Sequence, residues 1–115
     1  MVAAFGGCID PSIPIPPPDP TEMNATLAVN GNLTTVSFTY PPTTAYVGGV
    51  CEIFNRATGH GVIDAANPDG SCGPTSPLAA TLGDNVVFTI VSGSQTVSTC
   101  VVLRDGAQDP TAYCQ

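Results

Sequence analysis

Between Asn85 and Leu103 the chain reads N-V-V-F-T-I-V-S, then Gly93-Ser94, then Q-T-V-S-T-C-V-V-L. Two β-branched runs separated by a Gly-X pair predict an antiparallel hairpin closed by a tight type II′ turn. On the first arm Val86, Phe88 and Ile90 share one face, and Val87, Thr89 and Val91 the other. On the second arm Val97, Thr99, Val101 and Leu103 alternate with Ser98, Cys100, Val102 and Arg104. Both faces are largely apolar, so a central pair covered on both sides is expected. A lone hairpin is marginal in water, and the rest of the chain must supply the cover.

Five further segments carry strand signals. Met23–Val29 leads to Asn30-Gly31, a strong hairpin signal, and Leu33–Tyr40 follows with Val36, Phe38 and Tyr40 facing inward. Tyr46–Phe54 is predicted as a strand in which Gly48-Gly49 marks a bulge or the close approach of another backbone, and in which Cys51 and Ile53 share a face. Gly61–Ala65 reads as a short edge strand and Leu78–Leu82 as another. Between them, Ala66–Pro77 is a long loop dense in turn formers, and Ala107–Gln115 is expected to be an irregular tail. Twelve glycines, twelve prolines and recurrent Thr and Val suit short strands joined by turns. The expectation is an all-β fold, an antiparallel immunoglobulin-like β-sandwich of about seven strands over residues 23–115. Antibody hallmarks are absent, since the chain has no tryptophan.

Ahead of the sandwich, residues 1–22 predict an extended proline-rich arm. The run C-I-D-P-S-I-P-I-P-P-P-D-P, from Cys8 to Pro20, cannot be regular secondary structure, because proline lacks the amide donor and pushes its predecessor toward extended geometry. Ile9, Ile13 and Ile15 are embedded in it, and a solvated spacer has no need of isoleucine. Three readings stay open: a linker with incidental apolar residues, a terminus folded back on its own domain, or an assembly arm that orders on a neighbouring subunit.

Cys8, Cys51, Cys72, Cys100 and Cys114 form no C-x-x-C pair, and His60 is the sole histidine, so disulfides are expected rather than a metal centre or any cofactor. Five choices of unpaired cysteine and three pairings of the other four leave fifteen connectivities. The shortest loops, Cys51 to Cys72 and Cys100 to Cys114, are the favoured pairings. Cys8 would then be a free thiol or a bridge to another chain.

Nine acidic residues face two arginines and no lysine, a net charge of -7 that repels phosphate backbones and anionic lipid. Nucleic acid and membrane are therefore not expected as partners. The start M-V-A-A-F-G-G-C has no positive n-region and argues against a secretory or lipoprotein signal. His60 lies in a Gly-flanked turn without an identifiable catalytic partner, and Asp64 and Asp69 lack the alternating spacing of an EF-hand loop. Glu52 reads as an outward solvent contact. Asn24-Ala25-Thr26 and Asn32-Leu33-Thr34 match the glycosylation sequon. No catalytic residues are assigned, and an enzyme is not expected.

In its overall build, low charge and Gly/Thr/Val content, the chain resembles the small β-sandwich decoration, or cement, proteins on the outside of tailed-phage heads. That resemblance implies a structural virion protein, a dimer or trimer on the virion surface that binds the major capsid protein and clamps adjacent capsomers. The alternative is an extracellular immunoglobulin-like module, either a surface-filament subunit or an adhesion or carbohydrate-binding domain.

Overall fold

The computed structural model describes residues 14–114. In chain order the strands are β1 (Asn24–Asn30), β2 (Leu33–Thr39), β3 (Val50–Asn55), β4 (His60–Ala65), β5 (Leu78–Ala79), β6 (Asn85–Ser92), β7 (Gln95–Val102) and β8 (Gly106–Ala107). They form two antiparallel four-stranded sheets, ordered β5-β2-β1-β8 and β4-β3-β6-β7. The chain is thus an all-β sandwich. Consecutive strands pair in hairpins, while β5 crosses back to β2 after β3 and β4 have been laid in the opposite sheet.

The Asn85–Leu103 hairpin closes as expected. Ser92 pairs with Gln95, leaving Gly93-Ser94 as the turn, and Gly93 takes the positive φ (+60°) that such a turn requires. Its place in the sheet differs from the expectation, since β6 is central but β7 is an edge. The apolar outer face therefore did not mean that both strands were interior. The first hairpin is also shifted by one residue: Asn30 pairs with Leu33, so its turn is Gly31-Asn32 rather than Asn30-Gly31.

Alternation predicted the core well. Val36, Phe38 and Tyr40 from β2 and its end meet Val86, Phe88 and Ile90 of β6, all buried, with Cys51 and Ile53 beside them. Phe38 and Phe88 pack edge to face, ring centroids 5.9 Å apart, and Tyr40 lies against both Phe88 and Tyr46. Tyr46 itself is not in a strand. Thr44–Tyr46 forms a single 3₁₀ turn, begun by Thr43, whose hydroxyl accepts from the amide of Ala45 at 3.2 Å. The turn drops the phenol into the core before β3 begins. Gly49 follows where a Cβ would stand 3.0 Å from the carbonyl oxygen of Val91, the close backbone approach that its sequence context suggested.

The tail is more ordered than its composition suggested. Gly106–Ala107 pairs with Asn24 and Ala25 as an eighth strand. Buried Gln108 pins it: its amide nitrogen donates to the carbonyls of Arg104 (2.7 Å) and Gly106 (2.9 Å), and its Oε1 accepts from the Arg104 amide. Tyr113 then makes a bridge to Val101.

Candidate interaction surfaces

Four of the five cysteines close two disulfides, Cys51–Cys72 and Cys100–Cys114. The first ties the turn-rich loop to β3, and that loop also runs beside the end of β2, where Tyr40 and Cys72 exchange backbone hydrogen bonds. The second fastens the tail to β7. Cys8, Ile9 and Ile13 lie outside the described residues.

Ile15 is half-buried and packs against the core, and its amide donates to Gln95 Oε1 at 2.8 Å. From there the arm lies along the edge of β7 on its own domain. Thr99 Oγ1 donates to the Pro18 carbonyl at 2.6 Å, and the Tyr46 hydroxyl donates to the Pro16 carbonyl at 2.7 Å. The Asp19 amide donates to the Tyr40 hydroxyl at 2.9 Å. Proline carries no amide of its own but keeps its carbonyl, so a proline run can accept from the domain without leaving its own donors stranded. Pro18 and Pro20 are buried. Burial, then the neighbouring Tyr40, pushes the Tyr46 phenol well above its ordinary pKa, so it stays a donor across the physiological range.

Two apolar surfaces remain uncovered among the described residues. One is the outer face of the β4-β3-β6-β7 sheet, where Ile63 is 71% and Phe54 43% exposed, with half-buried Val87 and Val91 alongside. Glu52 lies on this face, opposite Ile63 and Thr89. The other is at the end of the sandwich near Leu103. Leu27 is paired with Val36, and Val29 with Thr34, so both point to the core side of their sheet. Val29 is nevertheless 74% exposed. Leu27, Val29, Thr34, Thr81, Leu82 and Asp105 line an open cleft of about 430 Å³ there. Period-two spacing from buried Ala25 through half-buried Leu27 places Val29 on the inward side, but spacing alone does not give its exposure. Leu82, read as a strand end, sits in a turn and is 64% exposed.

The remaining polar candidates are held in local structure. His60 is exposed at the start of β4, its backbone amide donating to Thr58 Oγ1. Asp64 accepts from the amide and hydroxyl of Ser76, and Asp69 from those of Ser71. Asp84 accepts from the Thr81 amide and from Asn55 Nδ2, which hold its carboxyl below the usual range. Among the described residues no three His, Cys, Asp or Glu side chains gather as a metal-ligand set. Among the described residues no helix is long and apolar enough to cross a membrane. Asn24 and Asn32 of the two sequons are both exposed.

Comparison with protein-family models, curated proteins and solved structures finds no match to the chain.

Proposed function

We propose that the protein is a non-enzymatic structural subunit of an assembly exposed to an oxidising medium, and specifically a decoration protein that binds the outside of a phage head and stabilises adjacent capsomers. The observation that carries this reading is the uncovered outer face of the β4-β3-β6-β7 sheet, with Phe54, Ile63, Val87 and Val91, on a domain held by two disulfides. A sheet face of this kind is a flat apolar platform suited to a large partner surface rather than to enclosing a small molecule. Disulfides close and persist outside the reducing cytosol, which fits a particle released from a cell. The major capsid protein is the proposed partner, with copies of this chain as neighbours.

The test is the mass of the native assembly purified from its source, with and without reductant. Co-purification with a megadalton shell containing a second, more abundant protein supports the reading. Recovery as a homopolymer or a monomer contradicts it. The homopolymer result would favour the second reading, a surface-filament subunit, for which the incompletely paired edge of β1 is the specific observation, because an open strand edge can accept a strand from another chain.

A further inference from the structure

β1 has a partner along all seven residues on its β2 side, but on the other side β8 reaches only Asn24 and Ala25. From Thr26 to Asn30 that edge has no strand partner among the described residues, and its Leu27 and Val29 line the cleft, where Leu27 is half-buried and Val29 and Leu82 are exposed. Unpaired main chain beside unpaired apolar side chains asks for one kind of occupant, an extended apolar segment that satisfies both at once. We propose that the occupant is the N-terminal segment, residues 1–13, of a second copy of this chain, added as a strand to the Thr26–Asn30 edge with its apolar side chains over Leu27, Val29 and Leu82.

Three observations select this segment. Its stretch M-V-A-A-F-G-G-C-I-D contains no proline, so unlike Pro11–Pro20 it keeps every backbone donor needed for a ladder. Val2, Phe5 and Ile9 supply apolar side chains, and the only charge among the first ten residues is Asp10, so nothing in the first nine conflicts with Asp105 in the cleft. Direction favours another copy over the segment's own domain. Followed toward the N-terminus, the arm passes Thr99 at Pro18 and Gln95 at Ile15, running along β7 away from the Leu103 end where the cleft lies. Reaching its own cleft would require the segment to double back over its own proline run. A segment leaving at one end and an acceptor at the other make a head-to-tail contact, which closes into rings or continues as a row.

This inference rests on the reading of the chain as an assembly subunit, and it is tested with two variants that separate donor from acceptor. A chain lacking residues 1–13 keeps the cleft but has no segment; it retains the described core and both disulfides. The Val29→Asp, Leu82→Asp chain keeps the segment but spoils the cleft. By analytical ultracentrifugation the full-length chain should sediment as a dimer or longer, each variant alone as a monomer, and their equimolar mixture as a one-to-one dimer of twice the monomer mass. Thermal melting checks that each variant is folded. Should the aspartate variant not melt cooperatively, Val29→Thr with Leu82→Ser takes its place. A full-length chain that stays monomeric, a variant that still multimerises alone, or a mixture of folded variants that stays monomeric overturns the proposal. Shell binding by the same variants separates the two readings: chains that bind a capsid but fail to complement each other remove only the copy-to-copy strand, whereas complementation without a capsid removes only the decoration role.

Discussion

The edges of β7 and β1 solve the same physical problem in opposite ways. An edge strand carries a row of unpaired backbone groups, and a stable monomer must cover it or blunt it. Along β7 the chain does so three times over, with the proline arm at Thr99, the tail bridge from Tyr113 to Val101, and the Cys100–Cys114 disulfide. Along β1, among the described residues, strand pairing on its β8 side ends after Ala25, and Val29 beyond it is exposed. The difference teaches that covering an edge here depends on segments outside the sandwich pattern, and that where no such segment arrives the apolar side chains remain for another chain to meet.

The largest expected effect comes from cutting the arm at two places. Removing residues 1–20 leaves Tyr46, Thr99 and Tyr40 without their arm partners and exposes surface beneath Pro18 and Pro20, so stability should fall by about 3–5 kcal/mol by denaturant titration, at about 1 kcal/mol per hydrogen bond plus the apolar area uncovered. Removing residues 1–13 should change it by less than about 0.5 kcal/mol. Equal losses from the two cuts would break the claim that the arm from Pro14 onward is part of the seal.

Next in size, Cys100→Ala with Cys114→Ala opens a loop with a sequence separation of 14 and should cost about 3 kcal/mol, read as a lower melting temperature. Tyr46→Phe keeps the ring but leaves the Pro16 carbonyl unpaired, and about 1–2 kcal/mol should be lost. On the open side, Val29→Thr should stay within about 0.5 kcal/mol, because a side chain 74% exposed contributes little to the folded monomer.

The smallest effect is a pH dependence at the open end. Hydrogen bonds from the Thr81 amide and Asn55 hold the Asp84 pKa below its unfolded value, so the stability it contributes is present above about pH 4 and is lost as pH falls through the folded value. Asp84→Asn should flatten the decline of the melting temperature below pH 4. An unchanged slope would mean that other carboxylates, Asp69 and Asp109 among them, carry the acid response.

What could be read from the sequence follows from what each pattern encodes. Period-two alternation located β2 and β6 and their buried residues, because a pleated strand sends alternate side chains to opposite faces whatever the topology. Loop length favoured the two disulfides that form. Alternation cannot tell a central strand from an edge whose outer face is apolar, and so β7 was misplaced. Tyr46, embedded in a run rich in Val and Gly, looked like strand, yet its hydroxyl is needed by a carbonyl thirty residues away, a tertiary demand invisible locally. The cleft was equally hidden, since Val29 is in step with buried Ala25 and half-buried Leu27 yet is 74% exposed, and period-two spacing carries no measure of exposure.

Hydrogen exchange resolved along β1 and β7 tests the contrast most directly, comparing the full-length chain at assembling concentration with the chain lacking residues 1–13. The account predicts that β7 amides exchange slowly in both, and that the outward amides of Thr26–Asn30 exchange fast in the shortened chain but become protected in the full-length one. Identical exchange along β1 in the two chains would contradict it.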